Sequence, residues 1–319
     1  MSAAPDTYMF APVATPAHSI MRLAIFVLSL AAGIFIVLST LVIYSLVKFR
    51  AREGEQHIEP PQVFGSTEIE LAWTIIPILI IVILFLTTAG VLFGLQHASK
   101  PAHALNVVVI GHQFWWEYRY PGLNISTANE LHVPASDERN SRPVFMKLTS
   151  ADVIHSFWIP RLAGKVDLIP NRVNELWVDP RIPGLYLGQC TQLCGVEHAK
   201  MLLRVFVDTP EEFETWVRQQ QQPAAQDPNV AAGREVFETE ACINCHTIGG
   251  THAKGQFGPD LTHLASRTTI ASGAVPNTRD NLRKWIADPD TYKPGCLMPS
   301  MHLSQQQLDQ ITDYLMSLK

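Results

Sequence analysis

Cys190-Thr-Gln-Leu-Cys194-Gly-Val-Glu-His198-Ala-Lys-Met201, preceded upstream by His155 in Asp152-Val-Ile-His155-Ser-Phe-Trp158, decides the reading of this chain. Two thiols, two imidazoles and a thioether make a soft donor set, the kind that selects copper. Zinc is the bland occupant of a Cys/His cluster, but a structural zinc site takes four ligands and has no use for a methionine. A mononuclear electron-transfer copper takes two His, one Cys and a weak axial Met, so one thiolate is surplus unless both sulfurs bridge a second copper. The pattern therefore points to a binuclear centre. Gly195, directly after the second cysteine, suits a loop on which donors converge from one side.

Outward from this motif, residues 107–120, 144–149, 175–178 and 202–207 are rich in β-branched and aromatic side chains. Pro121-Gly122, Pro134, Pro143, Pro170 and Pro183-Gly184 separate them, so residues 100–210 read as a small all-β sandwich or barrel. After Pro210 comes an acidic-aromatic segment and then Gln219-Gln-Gln-Gln222-Pro-Ala-Ala-Gln-Asp-Pro228, and residues 211–229 read as a linker.

Residues 230–319 open on a short helix at Ala231–Phe237 and continue to Cys242-Ile-Asn-Cys245-His246. C-x-x-C-H is a covalent haem signal, because two thiols add to the vinyl groups while the adjacent imidazole binds iron. A zinc ribbon would need a second cysteine pair, and Cys296 is solitary. Ser304 is placed to cap a final helix whose Leu308, Ile311, Thr312 and Leu315 share one face. His252 and His263 read as surface residues.

Upstream, residues 20–47 and 73–95 are almost wholly apolar, and each is long enough for the roughly 20 residues that cross a bilayer as a helix. No Lys or Arg precedes Arg22, which argues against a cleaved secretory signal. Lys48, Arg50 and Arg52 follow the first span, so the positive-inside bias puts the 48–72 loop in the cytoplasm despite Glu53, Glu55, Glu59, Glu68 and Glu70. Residues 1–99 are thus expected to form a tail and a transmembrane hairpin, with both termini outside. A net charge of −5 without a basic stripe excludes nucleic acid as a partner.

The copper motif resembles the copper A site of cytochrome c oxidase subunit II. Further landmarks of that family occur in order: Glu70-Leu-Ala-Trp73-Thr-Ile-Ile-Pro77, Gly111-His-Gln-Phe114-Trp115-Trp116 and Lys165-Val-Asp167-Leu-Ile-Pro170. The likeness runs over about residues 20–208. It implies a cupredoxin-like barrel with His155, Cys190, Cys194, His198, Met201 and the carbonyl of Gln192 as copper ligands. It also implies an electron route near Phe114, Trp115 and Trp116, and proton entry at Glu70. The family commonly has Glu where this chain has Gln192, and an amide is a poorer partner for a hard cation, so magnesium is not expected here. It usually has Trp, the entry point for electrons from soluble cytochrome c, where this chain has Phe114.

Residues 230–319 resemble a class I cytochrome c, through Gly258-Pro-Asp-Leu-Thr-His263 and Lys293-Pro-Gly-Cys-Leu-Met298-Pro299. That likeness implies Met298 as the second axial ligand, in preference to Met301. The fold expected is a multidomain membrane protein: a two-helix transmembrane hairpin, an all-β cupredoxin-like copper domain and an all-α cytochrome c domain. The function implied is the electron-entry subunit of a haem-copper oxidase in a bacterial plasma membrane, with no catalytic residue of its own. Its partners would be the oxygen-reducing subunit I, subunit III, and as donor a soluble or membrane-bound cytochrome c or a cytochrome bc complex. A copper-A-bearing nitric oxide reductase and a stand-alone membrane-tethered carrier are the competing readings.

Overall fold

A computed structural model describes residues 7–50, 62, 64–136 and 142–319. Arg52, Glu53, Glu55 and Glu59, used above for orientation, lie outside the described residues. Contacts divide the chain into two compact units, residues 19–98 and residues 99–319 together with the segment up to His18.

The first unit consists of two long apolar helices, α1 (Thr15–Lys48), whose first turn up to His18 belongs to the other unit, and α2 (Thr67–Gln96). Each begins about a turn earlier than the apolar run alone suggests, for a local reason in each case. At the start of α1 the carboxylate of Asp179 accepts from the Thr15 backbone N–H and hydroxyl (2.7 and 2.5 Å), which satisfies an otherwise orphaned helix donor. The first turn of α2 carries Glu68 and Glu70 where the helix dipole favours negative charge. The faces of both helices are almost entirely apolar and unburied, as for spans that pack against lipid or a partner.

In the second unit ten strands form two five-stranded sheets. They are β1 (Leu105–His112), β2 (Trp115–Tyr120), β3 (Ile125–Ala128), β4 (Glu130–Pro134), β5 (Val144–Ser150), β6 (His155–Trp158), β7 (Val166–Leu168), β8 (Asn174–Val178), β9 (Gly184–Cys190) and β10 (Leu202–Asp208). One sheet has the order β3-β2-β1-β5-β8, the other β4-β10-β9-β6-β7. The β1–β5 and β4–β10 pairs are parallel. Alternate residues face inward, so β1 and β5 bury Val107, Val109, Met146 and Leu148 against Leu203, Val205 and Val207 of β10. The run expected as one β stretch over 107–120 is two strands, because the chain turns at Gln113-Phe114.

The first half of the segment read as a linker is helical, forming α3 (Pro210–Gln220). Thr209 and Glu212 make a reciprocal capping box, and Phe213 and Val217, four residues apart, insert into the β core. Beyond it a second, smaller core gathers α4 (Ala231–Thr239), α5 (Arg279–Ala287) and α6 (Gln305–Ser317). The capping box of Ser304 with Gln307 starts α6 as the sequence suggests, and Leu308, Ile311, Thr312 and Leu315 are buried. A Cβ on Gly233 would stand 2.0 Å from the carbonyl oxygen of Gln310, so glycine is what allows α4 and α6 to cross this closely.

Candidate metal and haem centres

The strand order places the copper-type donors. Strands β9 and β10 are antiparallel, and the chain between Cys190 and Leu202 makes the loop that joins them. Strand β6 pairs with β9 so that Phe157 lies opposite Cys190, which carries His155 to the same end of the sheet. The outcome is compact. The Sγ atoms of Cys190 and Cys194 are 3.9 Å apart; His155 Nδ1 lies 4.0 Å from Cys190 Sγ, and His198 Nδ1 lies 3.6 Å from Cys194 Sγ. Met201 Sδ is 4.0 Å from Cys194 Sγ, and the carbonyl oxygen of Gln192 is 3.3 Å from Cys190 Sγ. The other four groups named from sequence therefore each lie within 4.0 Å of one of the two sulfurs. His155, Cys190, Cys194 and Met201 are buried.

Neighbouring residues hold this arrangement. His155 Nε2–H donates to Asp152 (2.8 Å), leaving Nδ1 with its lone pair toward the sulfurs. The other oxygen of Asp152 accepts from the Gln113 backbone N–H (2.6 Å), and Gln113 Nε2 donates to the carbonyl of Cys194 (2.5 Å). Burial alone would raise the Asp152 pKa, but the bonds from His155, Gln113 and Val153 outweigh it and hold it below the usual range. A Cβ on Gly111 would come within 2.8 Å of the His155 ring, so this glycine clears the space the imidazole fills. The two thiols titrate as a pair: the hydrogen bond from Cys194 pushes Cys190 down and, for the same reason, Cys194 up. A soft, buried and convergent set of this kind fits a thiolate-bridged copper pair. Replacing Asp152 by alanine should free the His155 ring and lower copper affinity by about 10–100-fold, read by competition against a chelator.

In the haem-type lobe Cys242, Cys245, His246 and Met298 all border one large cavity, and so does Met301. His246 Nδ1–H donates to the carbonyl of Pro259 (2.8 Å), which fixes the ring and leaves Nε2 for iron. Burial pushes the His246 pKa down, keeping the imidazole neutral as a ligand must be. A Cβ on Gly258 would sit 2.6 Å from His246 Cε1, which explains the glycine of Gly258-Pro-Asp. Arg267 is buried at the cavity wall, and its Nε has no hydrogen-bond partner among the described residues. The guanidinium donates to the carbonyl of Asp260 through another nitrogen, and its spare Nε–H fits the carboxylates that haem carries. Sequence reading passed over Arg267 and Asp152; the three-residue spacing of Asp152 and His155 was the available signal for the second. His263 is not at the surface: it is buried, with its nitrogens 2.9 and 3.1 Å from the carbonyls of Lys319 and Gln222. His252 is exposed.

The aromatic stretch lies between the two centres. Phe114 and Trp115 border the haem-type cavity, while the fully buried Trp116 meets the His155 ring edge-on with centroids 6.0 Å apart. Glu70 is exposed in the first turn of α2. Cys296 is half-buried beside Met298.

Comparison with known proteins bears on the same segments. The model of the cytochrome c oxidase subunit II transmembrane domain matches residues 3–89, that of its periplasmic domain residues 105–207, and the cytochrome c model residues 230–319. Cytochrome c oxidase subunit 2 of Alkalihalophilus pseudofirmus is 35% identical over 306 residues, covering 94% of this chain and 86% of that protein. The chain belongs to the cytochrome c oxidase subunit II family. The Bacillus sp. PS3 subunit 2 is 34% identical, covering 85% of this chain and 80% of its own. A solved structure, the periplasmic domain of subunit II of the Bradyrhizobium japonicum oxidase, is 31% identical with a TM-score of 0.36, over 39% of this chain and 97% of that one. The subunit II family establishes the expected architecture of apolar helix pair, cupredoxin-like β domain and helical cytochrome c domain. It also makes the chain part of a haem-copper terminal oxidase, whose subunit II domain implies copper A and whose cytochrome c domain implies haem c.

Proposed function

We propose that this subunit II admits electrons to its oxidase from an external donor, first at haem c and then at copper A, from which they pass to subunit I for reduction of oxygen coupled to proton pumping. The observation that carries this reading is that Phe114 and Trp115 of the copper lobe help to wall the cavity that holds Cys242, Cys245, His246 and Met298. A donor site and an acceptor site thus share one wall.

Cys242 and Cys245 would hold the haem covalently, and His246 and Met298 would supply the ligands to its iron. His155, Cys190, Cys194, His198, Met201 and the Gln192 carbonyl would hold the copper pair. When bound, these groups supply one-electron redox chemistry at two adjacent stations. The chain's own residues do the rest. Asp152 orients His155, Gly258 and Pro259 orient His246, and Phe114, Trp115 and Trp116 exclude water from the space between the stations. Glu70 would pass protons toward subunit I from the inner side. Beside the copper ligands, Leu193 and Val196 are 77% and 74% exposed, an apolar surface suited to an integral partner.

Topology follows the positive-inside bias, with the soluble lobes in the periplasm. The contacts of the N-terminal segment support it: Val13 N–H donates to Arg161 O (2.9 Å), and Arg181 N–H donates to Val13 O (3.0 Å). The chain ahead of the first span is therefore on the side of the copper lobe. Domain limits near residues 100, 210 and 230 complete the proposal, with residues 221–229 as the connection.

The test is purification of the intact complex with reduced cytochrome c as donor. Oxygen should be consumed, nitric oxide should not, and the resonance spectrum should show one unpaired electron shared by two copper nuclei. Nitric oxide turnover, or the absence of an integral haem-bearing partner, would overturn this reading.

A further inference from the structure

The two redox lobes could be joined as a loose tether, in which the connecting segment merely raises the local concentration of one lobe near the other. The interface argues for something more specific. Glu130, on β4 of the copper lobe, is only 3% exposed, yet its partners lie mainly on the haem lobe. It accepts from the backbone N–H groups of Thr268 and Thr269 (3.0 and 2.9 Å) and from both their hydroxyls (2.5 and 2.8 Å). Lys293, on the haem lobe and also 3% exposed, points the other way and donates to the carbonyl of Phe114 (2.6 Å). Burial lowers its pKa to about 8, so it is still an ammonium at neutral pH. Between these anchors Lys200 donates to the carbonyl of Tyr292 (2.8 Å), and Leu202 N–H donates to Ser272 O (3.3 Å).

Buried charges of this kind contribute little net affinity, because separating the lobes would return both to water. They are strict about register. Any slide or tilt that kept the interface dry would strip Glu130 of its four Thr268 and Thr269 donors, leaving it with Arg204 of its own lobe at 3.6 Å, and Lys293 of its Phe114 acceptor, which costs far more than the paired state gains. An anion on one lobe and a cation on the other, each satisfied across the interface, therefore select one seat. In that seat Phe114 is 6% exposed, with Lys293 on its carbonyl and the loop at Gly195 against its ring.

We propose that Glu130 and Lys293 are positioning residues that hold the haem lobe in a single seat over Phe114, so that the copper centre takes electrons only through the haem lobe and is closed to direct reduction by a soluble donor. This rests on the electron-entry reading above.

The experiment uses the intact oxidase complex. Haem c is reduced by a laser flash, and its reoxidation is followed together with copper absorbance in the near infrared. With the natural sequence the transfer should be a single exponential that salt and viscosity do not change. Glu130→Ala should slow it several-fold and split it into several phases, since electron transfer falls exponentially with distance and a loosened seat holds the haem at more than one distance. Glu130→Gln, which keeps an acceptor oxygen, should restore most of the rate, while haem and copper spectra stay unchanged in both. Transfer rates within twofold of the natural protein in both Glu130→Ala and Lys293→Met would overturn the proposal. So would hydrogen exchange in the unsubstituted complex that finds Thr268 and Thr269 amides as open as a free loop, a measurement that needs no variant to fold. Missing haem or copper spectra in the unsubstituted complex would instead sink the underlying functional reading.

Discussion

Cys194→Ser and Cys190→Ser are each expected to abolish the two-copper signal and reduce oxygen uptake with reduced cytochrome c to background. The reason is the 3.9 Å separation of the two sulfurs, which lets them serve as a pair across which two metal ions are shared. A serine hydroxyl at either position is hard and stays protonated, so it neither bridges nor suits a soft ion. Losing an outer partner of a metal site costs about 10–100-fold in affinity, and losing a ligand itself should exceed that. Copper content per chain and paramagnetic resonance are the measurements. The haem lobe, with its own core, should keep its optical spectrum, which separates a local loss from misfolding. A shared-electron signal persisting in both variants would show that the sulfurs do not bridge.

His246→Ala should have an effect of similar size by a different route. Without the imidazole, whose Nδ1–H is fixed on Pro259 and whose ring packs against Gly258, iron has no strong donor on that side. The chain should then lack stable haem, read by haem staining on a denaturing gel, while the copper signal remains. Uptake from a cytochrome c donor should collapse even so, because the seat over Phe114 leaves no second entrance. The same spectra distinguish the two methionines at the cavity. Met298→Leu should lose the sulfur-to-iron absorption band and lower the haem potential, and Met301→Leu should do neither. If Met301→Leu alone removes the band, the axial assignment is reversed.

Both predictions draw on residues visible before any fold was known. Donor identity is a local chemical property: a C-x-x-C-H string or a set of two Cys, two His and a Met carries its chemistry wherever the chain puts it. Helix periodicity is equally local, so α6, with its Ser304 cap and buried Leu308, Ile311 and Leu315, could be drawn from spacing alone. The apolar spans were legible for the same reason, since length and lack of charge are read residue by residue.

What tertiary structure alone decided lies where distant segments meet. His155 reaches the cysteines because β6 happens to pair with β9, and no local propensity encodes that choice of neighbour. The stretch after Pro210 looks like a solvated linker because its apolar residues are few, yet Phe213 and Val217 on one helical face suffice to bind α3 to the β core. Nothing local in the sequence marks Glu130 or Lys293 as an anchor, because a charge declares itself one only through the partner that buries it. By itself the sequence specified which atoms could hold copper and haem. The packing of one lobe on the other decided how those stations face each other, because burial and hydrogen bonding across an interface belong to pairs of residues far apart in the chain.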